Sequence, residues 1–235
     1  MLIGGGANRP PAALQQFSDW AEQKNILIIA WASEIPNETA EDVAASLRPY
    51  FAGNFEFALV PPTDQATQLE FSKQLARATG IFFTGGSQTR IMNVFNNAGG
   101  ADLESLLKSI YKSGTVFGGT SAGTAIMSLQ MITSGTGSDV QTSRGLGLLS
   151  DPQNQFIIDQ HFTQRDRRTR LLQAMKNTNT VNGIGVDEST AILVQDRTKL
   201  KVAGTNNVKI YFQPVGSGFT EKILQAGDTY DMSNQ

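Results

Sequence analysis

Residues 26–32 read Ile-Leu-Ile-Ile-Ala-Trp-Ala, seven apolar side chains in succession. No apolar run in the chain approaches the roughly 20 residues that span a membrane. Without alternation the run leaves no side for water, so it predicts a strand buried on both faces. Such strands belong to parallel sheets covered by helices on either side. The surrounding pattern agrees. A short strand over 1–3 runs into Gly4–Gly6, and 11–23 puts Leu14, Phe17 and Trp20 on one helical face. Residues 37–51 read as a helix with Asn37 as cap, and 55–60 as a strand closed by Pro61-Pro62. A helix over 66–79 leads to a strand and glycine turn over 80–86. Helices follow over 87–97, with Ser87 as cap, and over 101–113, then a strand over 115–118 and a helix over 121–130. Strands alternating with helices predict an α/β fold with a mostly parallel sheet sandwiched by helices.

After residue 131 the character changes. Residues 133–150 are polar and glycine-rich, a long loop or short hairpins. A strand over 156–160, a helix over 163–177 and strands over 184–187 and 191–195 lead to antiparallel strands in the tail. No internal repeat or linker interrupts this, so residues 1–235 read as one α/β domain with a β-rich C-terminal end.

Composition narrows the chemistry. A net charge of −2 supplies no basic surface for nucleic acid and no polybasic arm for a membrane. The opening residues have no charged leader and no long apolar core, so a cytoplasmic location is the expectation. The chain has no cysteine, which removes disulfides and thiol catalysis. It has one histidine, His161, so a zinc site built from several histidines is excluded, and any imidazole chemistry must use that residue.

In parallel α/β sheets, ligands sit at the carboxyl ends of the strands. Gly119-Thr120-Ser121-Ala122-Gly123 falls there and has the G-x-S-x-G pattern of a nucleophile elbow, a tight strand-to-helix turn that exposes one hydroxyl. The amide of Ala122, one past the serine, is placed as an oxyanion donor. A plain glycine turn or a phosphate-binding turn would share some of these letters, but no lysine follows Gly123 as a P-loop requires. Thr84-Gly85-Gly86-Ser87-Gln88 ends a neighbouring strand and is either a bare turn or the source of a second donor. His161 follows an apolar strand and precedes Arg165, Arg167, Arg168 and Arg170. So many cations beside one imidazole suit an anionic substrate; a solvated basic helix face is the plainer account. Asp187 and Glu188 lie just past another buried strand; either could orient an imidazole, and a turn capped by acids is the plainer account. The Gly4–Gly6 run does not complete a dinucleotide-binding G-x-G-x-x-G.

Taken together, GGTSAG (118–123), IIDQHFTQRDRRTRLL (157–172) and GIGVDESTAI (183–192) resemble the cyanophycinase family of serine peptidases, relatives of dipeptidase E. The resemblance runs from the first glycines to the strands past 192 and agrees in order and spacing. It implies a fold related to class I glutamine amidotransferases. It also implies hydrolysis of β-aspartyl linkages in cyanophycin, a poly-aspartate carrying arginine on its side chains, with release of β-Asp–Arg dipeptides. By position it implies Ser121 as nucleophile, His161 as general base and Glu188 as the acid that orients it. Gly86 and Ala122 would form the oxyanion hole. Gln88, Asp159, Gln160, Arg165, Arg167 and Arg170 would bind substrate, while Arg168 has no counterpart. No metal or organic cofactor is implied, and members of the family tend to form homodimers. Two departures stand out: Ala7-Asn8 where relatives carry an acid, and Thr124 where alanine is usual. A dipeptidase acting on short acidic or isoaspartyl peptides, and a non-catalytic binding module, are the alternative readings.

Overall fold

A computed structural model of the chain describes residues 1–97, 99–149, 155–213 and 218–234. In chain order the elements are β1 (Leu2–Ile3), α1 (Pro11–Trp20), β2 (Asn25–Ile29), α2 (Pro36–Leu47), β3 (Asn54–Ala58), α3 (Gln65–Arg77) and β4 (Gly80–Phe83). There follow α4 (Gln88–Asn96), α5 (Gly100–Lys112), β5 (Val116–Thr120), a single helical turn α6 (Ala122–Ala125), β6 (Gln130–Ser134) and β7 (Gln141–Arg144). The remainder is β8 (Phe156–Gln160), α7 (Arg168–Thr178), β9 (Asn182–Val186), β10 (Thr190–Gln195), β11 (Lys199–Gly204), β12 (Val208–Phe212), β13 (Thr220–Leu224) and β14 (Thr229–Asp231). The chain divides into two compact units, Leu14–Gly123 on the one hand and Met1–Ala13 with Thr124–Gln235 on the other.

In the unit Leu14–Gly123 the strands run β5-β4-β2-β3, every pair parallel. Ile26–Ile29 and Ile81–Phe83 are completely buried, as their unbroken apolar character requires. Phe17 of α1 meets Phe82 of β4 edge to face at 5.8 Å. The helices begin by different means. At α3 the Asp64 carboxylate accepts the Thr67 amide at 2.8 Å, and the Thr67 hydroxyl accepts the Asp64 amide. At α2 the expected cap does not form. Asn37 lies inside the first turn, Ile35 occupies the cap position, and Pro36, whose φ is already helical, starts the helix. Ser87 does precede α4, but its side chain makes no capping bond.

The other unit carries the β-rich end of the chain. One set of strands runs β14-β11-β10-β1, all antiparallel, and a second runs β13-β12-β9-β8, with β8 and β9 parallel. The polar stretch over 133–150 contributes to a hairpin of β6 and β7; its last residue, 150, lies outside the described residues. Phe162, Leu171, Met175 and Tyr211 join Ile132, Val140 and Ile157 in a buried cluster beneath α7.

Two expected helices are shorter than their periodicity suggests. The helix over 121–130 is one turn only. The carbonyls of Ile126, Met127, Ser128 and Leu129 accept the amides of Leu146, Leu149, Gly147 and Gly145, so they are not available to continue a helix. The helix over 163–177 begins at Arg168. Residues 161–167 are turns, with His161 and Asp166 in the left-handed region at φ 50° and 46° and the Thr163 amide given to Asp187. Among the described residues, no helix is long and apolar enough to cross a membrane.

Candidate active site

In the unit Leu14–Gly123, the end of β5 delivers Ser121 into a turn at φ 50°, an uncommon conformation for a residue with a side chain. The glycines explain how the turn closes. A Cβ on Gly123 would lie 2.2 Å from the carbonyl oxygen of Phe83, so only glycine lets the chain pass that close to β4. The turn after β4 comes alongside: a Cβ on Gly85 would stand 3.6 Å from that of Ser121. Gly86, at φ 134°, passes the Ala32 carbonyl so closely that a Cβ there would be 2.2 Å from its oxygen. The Ser87 amide donates to that same carbonyl at 2.9 Å. Gln88 opens α4 immediately afterwards and is half-buried. The helix behind Ser121, α6, is only four residues long, so its dipole amounts to a single turn.

In the other unit, His161 follows β8 directly. Its amide donates to the Gly4 carbonyl at 2.8 Å, and its Nδ1 lies 2.5 Å from Glu188 Oε1. A proton held on Nδ1 by the carboxylate leaves Nε2 as the basic nitrogen. Asp187, the other acid open to choice, faces elsewhere. It is buried, with Oδ1 accepting the Thr163 amide at 2.8 Å and Oδ2 the Asn207 amide at 3.2 Å. Glu188 is held through its backbone: its amide donates to Gln164 Oε1 at 2.9 Å, and its carbonyl accepts from Asn206 Nδ2 at 2.8 Å. Gln164, Asn206 and Asn207 carry no motif that sequence reading could have used. Thr124, a departure from the family pattern, is buried with its hydroxyl donating to the Ile3 carbonyl at 2.7 Å.

The four arginines separate into different environments. Arg170 is buried and grips Asp159 with two bonds, Nε to Oδ2 at 2.7 Å and Nη2 to Oδ1 at 2.5 Å. Asp159 is completely buried. Arg167 donates to the Gln160 carbonyl at 2.6 Å and reaches Asp159 Oδ1 at 3.4 Å. Arg168 lies over the ring of Tyr211 at 5.7 Å and pairs with Glu221 at 3.3 Å. Arg165 is exposed. Gln160 is buried at the end of β8.

Burial pushes the His161 imidazole below its usual value. The bond to Glu188 opposes this, while the charges of Arg165 and Arg167 add to it. The ring therefore stays neutral, and basic, at neutral pH. Burial also lowers the Arg167 guanidinium, to about 10, with Asp159 opposing and the charges of Arg170 and Arg165 contributing; it remains a cation at pH 7. Because the chain has one histidine, a proton NMR titration reads this ring without ambiguity, and its midpoint is expected below 6.5. The unfolded chain then binds the proton more readily than the native one. The pair consequently destabilises the fold as pH falls from about 6.5 through the lower native value. A midpoint above 6.5 would show that Glu188, not burial, dominates. Among the described residues, no group of three or more acidic or histidine side chains is placed to hold a metal ion.

The chain is a hydrolase of the peptidase class. The chain is a member of peptidase family S51, whose family model matches residues 1–202. A cyanophycinase from Geminocystis herdmanii (strain PCC 6308) is 30% identical over 221 residues, covering 89% of this chain and 79% of that protein. A cyanophycinase from Synechococcus elongatus is 33% identical over 161 residues, covering 66% of this chain and 48% of that protein. The chain thus spans about half the length of the first curated relatives it matches. The crystal structure of a peptidase from an acI-B1 Actinobacterium matches 98% of this chain and 95% of its own, with a TM-score of 0.68 at 20% identity, a likeness of fold.

Proposed function

We propose that this peptidase is a serine-type exopeptidase that hydrolyses β-aspartyl bonds, as in cyanophycin, and releases β-Asp–Arg dipeptides. The observation that carries the reading is the 2.5 Å contact between His161 Nδ1 and Glu188 Oε1, beside an Asp187 whose carboxylate is taken up by backbone amides. The cyanophycinase relatives suggest the substrate. Ser121 Oγ attacks the scissile carbonyl while His161 Nε2 takes its proton. Glu188 holds the tautomer and stabilises the imidazolium. The amides of Ala122 and Gly86 bind the oxyanion, each donor contributing on the order of 100–1,000-fold in rate. His161 returns the proton to the leaving amine, and water, activated by the same base, releases the acyl group from Ser121.

Arg165 is the cation best suited to a substrate carboxylate, since its side chain is exposed whereas Arg167 and Arg170 engage Asp159. Gln88 and Gln160 are assigned to the substrate pocket. Mass spectrometry of products after incubation with cyanophycin tests the reading, with β-Asp–Arg dipeptide expected. Hydrolysis confined to short acidic or isoaspartyl peptides would move the substrate to those. Absence of hydrolysis of either, with no fluorophosphonate label on Ser121, would leave a binding protein without catalysis.

A further inference from the structure

The Gly4–Gly6 run, which fits no nucleotide motif, lies against the His161–Glu188 pair. We infer that Gly5 is a positioning residue for the general base: the side chain it lacks is the space in which the His161 imidazole is held. This rests on the reading of His161 as base. A Cβ on Gly5 would lie 2.3 Å from Cε1 of the ring, 2.5 Å from Nε2 and 3.0 Å from Nδ1. No real side chain tolerates such approaches, and the ring has little freedom to yield. Its Nδ1 is bound to Glu188, and its own amide to the carbonyl of Gly4. The same loop supports the acid. The Gly5 carbonyl accepts the Ser189 amide at 3.1 Å, next to Glu188, and a Cβ on Gly6 would come within 3.0 Å of Glu188 Cβ. Gly5 sits at φ 96°, a conformation glycine adopts without cost. Gly4 is a poorer probe, because a Cβ there meets the backbone oxygen of Asp187 at 2.0 Å and would disturb the fold itself.

The experiment is a cycle of Gly5→Ala, His161→Ala and the double variant, read by kcat, KM, urea unfolding and the imidazole N–H resonance of the only histidine. Gly5→Ala is expected to lower kcat about 100-fold or more, the scale of roughly 1 Å misplacement in a catalytic group. KM should stay within about twofold, and the low-field N–H resonance of the His161–Glu188 bond should vanish. In the His161→Ala background the same substitution should change the residual rate by less than about twofold, because the group through which it acts is gone. Unfolding should show the same coupling, with Gly5→Ala less destabilising when the ring is absent. Should Gly5→Ala alone fail to fold while the double variant folds, the inference also stands. It is overturned if Gly5→Ala keeps the parent kcat, if it costs the same rate and stability in both backgrounds, or if neither variant folds. Parent activity in His161→Ala alone would instead refute the assignment of the base.

Discussion

Ser121→Ala is expected to fold as the parent does and to lose turnover of the β-aspartyl polymer on the order of a million-fold in kcat, the scale on which serine hydrolases fail without their nucleophile. The residue is half-buried just past β5, in a turn that Gly123 lets close against β4. Alanine keeps the Cβ and meets the same left-handed φ of 50°, so the strain is common to both proteins and cancels. What is lost is the oxygen proposed to form the acyl bond. The oxyanion amides and substrate contacts remain, which leaves a small residual rate over water. Dipeptide release followed by mass spectrometry, with urea unfolding as control, checks this. A variant retaining a hundredth of the parent rate with an unchanged unfolding midpoint would remove Ser121 from the mechanism.

Asp159→Ala carries the second large effect, and it falls on stability. The carboxylate is wholly buried and both its oxygens are engaged by Arg170, itself almost buried. Removing it strands a guanidinium in the interior, where an uncompensated charge costs about 3–5 kcal/mol. Set against a typical total of about 5–15 kcal/mol, that removes a large share of the stability. Asp159→Asn, which keeps an acceptor for one of the two bonds, should lose less. Urea unfolding of both variants measures the difference. A loss below about 1 kcal/mol for Asp159→Ala would mean that Arg170 finds water or another acceptor. Because Asp159 lies two residues before His161 on β8, and Arg167 bonds the intervening Gln160 carbonyl, the surviving fraction should also show a disturbed base.

Much of the architecture was legible from local pattern. The run over 26–32 announced a strand buried on both faces, and Ile26–Ile29 form one. The strand over 156–160 has the predicted bounds. Local pattern failed where a distant segment competed for the same backbone groups. Residues 121–130 have helical letters, but the carbonyls of 126–129 bind amides from 145–149. Likewise, the basic stretch after His161 looked like a helix carrying four similar arginines. The turns through Asp166 put Arg165 and Arg167 ahead of α7, and burial made partners of Arg170 and Asp159. Side-chain identity alone does not distinguish a cation for substrate from one committed to the interior.

By itself the sequence determined the alternating α/β pattern, the serine among its glycines and the identity of the only histidine. These follow from short-range sterics, apolar runs and composition. Only the tertiary structure decided which of two adjacent acids meets the imidazole. Asp187 is turned toward the amides of Thr163 and Asn207, and Glu188 toward Nδ1. Those amides lie about twenty or more residues away along the chain, so nothing in the two letters Asp-Glu could express the choice. The seat of the imidazole against Gly5 has the same origin, since the space there exists only once β1 and β8 have delivered residues 5 and 161 to one place.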